Sequence, residues 1–206
     1  MANQVWVVRH GTTLANQTRT LQGHSAAELA PEGRAQARQL GEYLAGREIS
    51  FAALVASDLP RAWETASLLG QTLSLEVVPE PRLRECDFGE WVGLTYEEHE
   101  VRLAAAGGEP YQVVAPGGES PAQMARRVRA AFDDWIERPQ LEGPLLLVTH
   151  GGPIQALVTR ALGLPFCLEA GLSFRRSNTG YTILRRLRQD PQRFSVLTLN
   201  ATPHLK

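Results

Sequence analysis

The strongest indication of the fold is residues Val5–Gly11 (VWVVRHG). Its β-branched and aromatic residues are typical of a strand buried in a parallel sheet, and the polar residues after Val8 end that strand abruptly. Two other apolar runs, Ala52–Ala56 and Leu145–Val148, also end in polar clusters, SD at 57–58 and THGG at 149–152. We therefore predict three parallel strands with polar residues at their carboxyl ends.

Helical periodicity fills most of the chain between these strands. Helices are predicted over Pro31–Ala45, Pro60–Leu73, Pro121–Glu137 and Pro153–Leu162. Further strands are predicted over Leu75–Pro79, Tyr181–Leu187 and Phe194–Leu199, the last two as a hairpin that turns at Gln189-Asp190-Pro191. This alternation indicates an α/β fold, a three-layer α/β/α sandwich with a mostly parallel central sheet.

The length of 206 residues suits one domain spanning residues 1–206. Hydrophobic residues make up 43% and charged residues 21% of the chain, which excludes disordered and collagen-like classes. Residues 96–118 lack a strong period and contain several glycines and prolines, so we predict a cap or lid there. Its apolar residues are expected to form a pocket wall: Leu103, Tyr111, Val113 and Val114.

The charge and cysteine content narrow the class of partner. A net charge of -1 argues against binding to nucleic acid or to an anionic membrane.

The N-terminus lacks a signal-peptide pattern and no apolar run approaches a membrane span, so a cytoplasmic location is expected. Cys86 and Cys167 form neither a disulfide framework nor a metal-binding spacing, and Cys86 is expected to be a packing residue. A homodimer is expected from base rates alone.

Arginine supplies nearly all of the positive charge, since Lys206 is the only lysine among 21 basic residues. Most arginines, including Arg126 and Arg127, are predicted to lie on solvated helix faces. Arg9 and Arg61 are different because they follow or begin elements at the carboxyl end of the sheet, where ligands bind in such folds. Together with His150, these guanidinium groups could converge on one phosphoryl group, which arginine binds in a bidentate manner.

The residues around these arginines resemble, in order, the motifs of the histidine phosphatase (phosphoglycerate mutase-like) superfamily. RHGT at 9–12 resembles the first signature of that family. The further matches are Asn16, QG at 22–23, SDLPRA at 57–62, LRE at 83–85, FGEW at 88–91, THGG at 149–152 and SNT at 177–179.

The resemblance implies metal-independent hydrolysis of a small phosphomonoester without a cofactor. His10 would be the nucleophile that forms a phosphohistidine, and Glu85 would be the general acid and then the general base. Neighbouring guanidinium charges would lower the pKa of His10 and keep its ring neutral. The residues expected to contact the substrate phosphate are Arg9, Arg61, His150, Asn16, Gln22 and Gly151.

Four positions depart from patterns within that superfamily, and Ala26 and Glu28 replace the usual Asp and Pro after the QG motif. Ala30 replaces the usual capping Thr or Ser before the first long helix, which costs about 1 kcal/mol of local stability. Cys86 stands where the mutase branch has an arginine after the catalytic glutamate, and residues 85–120 contain few basic side chains. This favours a phosphatase, with a cofactor-dependent phosphoglycerate mutase as the alternative.

Two other classes stay open at the level of sequence. The run GESPA at 118–122 is close to the G-x-S-x-G elbow of serine hydrolases, and residues 111–115 could be the strand before it. A capping role for Ser120 is the simpler explanation. A non-catalytic phosphate-binding protein would need only the arginines, whereas both His10 and Glu85 are present here.

Overall fold

A computed structural model describes residues 2–166, 172–190 and 193–206. Its described residues form a six-stranded sheet in the order β3-β2-β4-β1-β5-β6. The strands β1 to β4 run parallel to one another, β5 runs antiparallel to β1, and β6 runs antiparallel to β5. The predicted mostly parallel sheet is therefore confirmed. The strands are β1 (Gln4–Arg9), β2 (Ala53–Ala56), β3 (Val77–Pro79), β4 (Leu145–Thr149), β5 (Tyr181–Arg186) and β6 (Phe194–Ala201).

Helices cover both faces of this sheet. They are α1 (Leu14–Gln17), α2 (Pro31–Ala45), α3 (Pro60–Leu73), α4 (Tyr96–Ala106), α5 (Pro121–Ile136) and α6 (Gly151–Ala161). Alternate residues of β1 enter two separate cores, because successive strand side chains point to opposite faces. Val5 and Val7 pack with α5 and α6, whereas Trp6 and Val8 pack with α2 and α3. The three-layer sandwich is therefore confirmed.

Three helices differ from the sequence prediction, which does not include the single turn of α1. The structure contains α4 within the range 96–118, which was predicted to be irregular; no residue of α4 is buried, so no apolar period marks it. Its local signal is the capping box that Thr95 makes with Glu98. The helix α6 begins at Gly151 after the N-cap His150, two residues before the predicted start at Pro153.

Ser120 caps a helix. Its hydroxyl accepts a hydrogen bond from the Gln123 amide at 3.2 Å, and the Gln123 side chain bonds back to the Ser120 amide at 2.7 Å. The range 111–115 is not a strand. The pattern that suggested a serine hydrolase is thus a capping box at the start of α5.

Two sequence predictions fall on undescribed residues, since Cys167 and the turn residue Pro191 lie outside the described ranges. Ala30 is the N-cap residue of α2 and makes no side-chain capping hydrogen bond, as the sequence predicts.

None of the described helices is long and apolar enough to cross a membrane.

A contact between two glycines fixes the loop after β1 against helix α2. A Cβ atom at Gly33 would lie 2.1 Å from the Thr12 carbonyl oxygen, and one at Gly11 would lie 2.4 Å from the Gly33 oxygen. Real Cβ atoms do not approach backbone oxygens so closely. The backbone of the loop that carries His10 therefore packs directly on that of α2.

We expect Gly33→Ala to lower the free energy of unfolding by about 2 kcal/mol, because an added methyl group must push these backbones apart. Chemical denaturation measures the change. Gly46→Ala, at the other end of α2, is the matched control, since the nearest atom to its Cβ would lie 3.6 Å away. Equal stability of the two variants would contradict the assigned contact.

Candidate active site

The sheet brings four predicted residues to one edge. Arg9 ends β1, His10 follows it, His150 follows β4, and Arg61 is the second residue of α3 after β2. Because β4 lies between β2 and β1, the carboxyl ends of these strands are neighbours. The rings of His10 and His150 lie 5.2 Å apart between their centroids.

The His10 ring is buried and its orientation is fixed. Its Nδ1 lies 2.8 Å from the Gly11 carbonyl oxygen, which can only accept a hydrogen bond. Nδ1 therefore carries the proton of the neutral ring, and Nε2 has the free lone pair. The backbone is held as well, because the His10 amide donates to the Thr149 oxygen at 2.9 Å and the Asn178 side chain donates to the His10 oxygen at 3.0 Å.

Burial lowers the pKa of His10 well below the usual value, and the charges of Arg61 and Arg9 lower it further. Burial likewise lowers the pKa of His150, with Arg61 and His10 adding to the effect. Both rings are therefore neutral at pH 7. A neutral His10 has the unprotonated nitrogen that a nucleophile requires.

Three buried donors around these rings have no hydrogen-bond partner within the described part of the chain: Arg9 Nε, Arg61 Nε and His150 Nδ1. Both terminal nitrogens of Arg61 donate to backbone oxygens, Nη2 to Gly23 at 2.8 Å and Nη1 to Ser25 at 3.4 Å, and Arg9 Nη1 donates to the Arg176 oxygen. Burial lowers the pKa of Arg61 to about 10, an effect that Glu85 opposes, so it stays charged at neutral pH. Unpaired buried donors of this kind are the expected lining of an anion site.

The hydroxyl of Ser57 orients His150. The hydroxyl oxygen lies 2.8 Å from His150 Nε2 and also accepts from the Leu59 amide at 3.3 Å. When this hydroxyl donates to Nε2, the proton of the neutral ring resides on Nδ1, the atom that lacks a partner. His150 is then a neutral donor.

The carboxylate of Glu85 lies across two backbone amides. Its Oε1 accepts from Cys86 at 2.9 Å and its Oε2 accepts from Gly152 at 3.2 Å, in the first turn of α6. A Cβ atom at position 152 would lie 2.3 Å from Oε1, so glycine is required for this carboxylate position. The helix dipole at this N-terminus favours the negative charge.

The other three predicted contacts differ in position. Gln22 and Gly151 line the cavity next to His10, whereas Asn16 does not. The Asn16 side-chain oxygen instead accepts from the Thr13 amide at 3.1 Å and from Asn178 Nδ2 at 3.0 Å. Asn16 therefore holds the loop behind the cavity.

The cavity has a volume of about 590 Å³ and extends from His10 to the 96–118 segment. Tyr96, His99 and Tyr111 of that segment line it, together with Phe88, Phe166 and Phe174. Of the four residues predicted to form the wall, Tyr111 lines this cavity, whereas Leu103 and Val113 line a small pocket behind it and Val114 is half exposed. Much of the cavity lining is thus aromatic.

Sequence reasoning missed several polar residues of the cavity, among them Arg175, Arg176 and Gln155. Arg176 and Gln155 line it, and Arg176 Nη1 donates to Gln155 Oε1 at 2.6 Å. The available signal was the position of Arg175 and Arg176 directly before the SNT motif. Among the residues described, no group of three or more His, Cys, Asp or Glu side chains could hold a metal ion.

The neutral buried histidines imply a dependence of stability on pH. In the unfolded chain their pKa is about 6.5, so below that pH the unfolded state takes up protons that folded His10 and His150 do not. We expect the free energy of unfolding to be constant just above pH 6.5 and to fall below it, by about 1 kcal/mol per pH unit for each such histidine. Denaturation in phosphate-free buffer between pH 7.5 and 5 tests this, and His10→Asn should lessen the slope. The same slope in both proteins would contradict the assignment.

Comparisons with known proteins identify the family of this chain. The profile of the histidine phosphatase superfamily (branch 1) matches residues 5–202. The probable phosphoglycerate mutase GpmB of Erwinia tasmaniensis is 37% identical over 177 residues, which are 84% of this chain and 80% of that protein.

Solved structures are similar over nearly the whole chain. A mycobacterial glucosyl-3-phosphoglycerate phosphatase in complex with VO3 is 32% identical, with a TM-score of 0.83 over 97% of this chain and 99% of that one. YhfR of Bacillus stearothermophilus is 26% identical, with a TM-score of 0.85 over 100% of both chains. Enzymes similar to this chain are thus phosphatases or mutases. The chain belongs to branch 1 of the histidine phosphatase superfamily.

Proposed function

We propose that the protein hydrolyses small phosphomonoesters through a phosphohistidine on His10. The observation that carries this proposal is the free Nε2 of His10 beside three unpartnered donors, Arg9 Nε, Arg61 Nε and His150 Nδ1. Phosphoryl transfer needs a nucleophile and fixed positive charge around the equatorial oxygens, and these groups supply both. Gln22 and the Gly151 end of α6 border the same space.

The proposed reaction has two steps. In the first, Glu85 is protonated when the substrate binds, Nε2 of His10 attacks phosphorus, the bond to the leaving oxygen breaks, and Glu85 gives that oxygen its proton and becomes a carboxylate. In the second, water attacks the phosphohistidine, Glu85 takes a proton from the water, and the N–P bond breaks to release phosphate. The steps use side chains of this chain and water, and Asn16 acts by holding the loop behind His10.

A phosphoglycerate mutase is the second candidate, because the GpmB protein described above is named a probable phosphoglycerate mutase. The cavity also contains Arg175 and Arg176, which could hold a second acidic group of a substrate. Against this, the position after Glu85 is occupied by Cys86, a buried neutral thiol that donates to the Glu119 oxygen at 3.4 Å. Burial raises the pKa of this thiol, so it adds no charge to the site. We favour hydrolysis.

The first test is the release of phosphate from p-nitrophenyl phosphate. We expect His10→Ala to lower kcat by at least about 10³-fold, because no other group offers a free nitrogen at that position. The wild-type enzyme should also form an acid-labile phosphoenzyme that the variant lacks. Full activity of a folded His10→Ala variant would reject the mechanism. Rapid conversion of 3-phosphoglycerate to 2-phosphoglycerate, with a bisphosphoglycerate present and no release of phosphate, would favour the mutase.

The role of Glu85 is tested by the choice of leaving group. An alkoxide needs a proton when it leaves, whereas p-nitrophenolate does not. We expect Glu85→Gln to lower kcat/KM for an alkyl phosphate by about 10² to 10⁴-fold and to change the value for p-nitrophenyl phosphate by less than about tenfold. An unchanged kcat/KM for the alkyl phosphate would show that Glu85 is not the acid.

A further inference from the structure

A partly buried arginine on α5 binds the loop that carries Glu85. Arg127 was predicted to face solvent, but its guanidinium group donates to three backbone oxygens: Arg82 at 2.9 Å, Arg84 at 2.7 Å and Glu85 at 2.7 Å. One side chain thus binds three carbonyl groups within four consecutive residues. Its neighbour Arg126 is exposed, as the sequence predicts.

The loop depends on such contacts because little regular structure supports it. Residues 81–83 form one turn of 3-10 helix, and residues 84–88 are neither helix nor strand. Backbone oxygens in such a segment need partners from elsewhere in the protein. The planar fork of arginine reaches several oxygens at once, whereas a lysine ammonium group is a single point charge.

An acidic residue holds the guanidinium group in place. Glu119 accepts from Arg127 through both carboxylate oxygens, with Oε2 at 3.1 Å from Nε. Glu119 Oε1 also accepts from the Asp87 amide at 3.1 Å, and the Glu119 amide donates to the Asp87 oxygen at 2.9 Å. The pair therefore holds the loop on both sides of Glu85 in sequence.

The Glu85 carbonyl receives a second donor from the opposite side of the chain. His24 Nε2 lies 2.9 Å from this oxygen, and His24 Nδ1 lies 3.4 Å from an Asp87 carboxylate oxygen. The backbone of Glu85 is thereby fixed at its carbonyl, while its side chain is fixed by the Cys86 and Gly152 amides. Arg127 touches neither the Glu85 carboxylate nor the unpartnered donors of the anion site.

We propose that Arg127, held by Glu119, is the positioning residue for the general acid Glu85. This rests on the proposed function of Glu85. Loss of Arg127 leaves His10, Arg9 and Arg61 in place and releases the loop segment that aims the Glu85 carboxylate at the leaving oxygen. A displacement of about 1 Å is enough to weaken proton transfer.

The consequence is a loss that depends on the leaving group. Arg127→Gln should lower kcat/KM on the order of tenfold or more for an alkyl phosphate, a fraction of the contribution of a general acid. The same variant should change kcat/KM for p-nitrophenyl phosphate by less than about threefold. This constant reports the transfer to His10 and excludes the later hydrolysis of the phosphoenzyme. A general loss of folded structure would lower both values alike.

Arg129→Gln is the matched control on the same helix. Arg129 is also partly buried, but it donates to Thr159 Oγ1 at 2.9 Å and to the Ala156 oxygen at 3.3 Å, on the side of α6. We expect this variant to affect stability without separating the two substrates. Arg127→Lys and Glu119→Gln supply milder changes of the proposed pair, and unfolding midpoints identify any variant that fails to fold.

A double-variant cycle decides the issue. If Arg127 acts through Glu85, then Arg127→Gln should cause no further loss for the alkyl phosphate in a Glu85→Gln background. Independent, multiplicative losses, or equal losses for both substrates in the milder variants, would overturn the positioning role. A wild-type protein that hydrolyses neither substrate would instead overturn the proposed function.

Discussion

The proposed nucleophile, His10, is an uncharged ring that the fold holds near two guanidinium groups inside the protein. Burying a guanidinium group is unfavourable unless its donors are bound. Arg61 meets this condition in part through backbone oxygens for both terminal nitrogens, and Arg9 through one backbone oxygen for Nη1, while the buried Nε of each lacks a partner in the described chain. In the proposed mechanism these remaining donors bind an oxyanion of the substrate, and the surrounding elements hold the donors in position beforehand.

The order of the strands makes this arrangement possible. The strands β2, β4 and β1 are adjacent, so the ends that carry Arg61, His150 and His10 meet without a long loop between them. The contact between Gly11 and Gly33 brings α2 against the loop that carries His10. The Asn178 side chain donates a hydrogen bond to the carbonyl oxygen of His10. The N–P bond of the proposed mechanism would therefore form with little movement of the backbone, and such preorganisation is a large part of enzyme catalysis in general.

The sequence predicts the parts of the fold that contact the core. The runs around Val7, Leu54 and Leu147 are strands because their residues fill two cores, and α2 and α3 have the predicted bounds. The helix α4 is not predicted from sequence because none of its residues is buried, so its only sequence signal is the capping box at its start. The sequence predicts that α6 begins at Pro153, because proline is favoured at the first position of a helix. The helix begins two residues earlier, at Gly151, after the N-cap His150.

The site shows the same division. Arg9, His10, Arg61 and His150 stand at element ends, and local pattern places them there. Arg127, Arg176 and Gln155 lie within helices or loops, and their contacts depend on which distant backbone packs against them. In the sequence they are ordinary polar residues among many arginines. Their contribution follows from tertiary structure, which no local period encodes.

The absence of buried residues in α4 has an evolutionary consequence. Tyr96 and His99 of this helix line the cavity, yet the helix adds nothing to either core. Substitutions there would alter the shape of the leaving-group wall at little expense in folding stability, since exposed positions tolerate change. The phosphoryl end, built on core strands, has no such freedom. Substitutions in this one peripheral helix would therefore change which alcohol the proposed enzyme accepts as a leaving group, while the residues around the phosphoryl group stay constant.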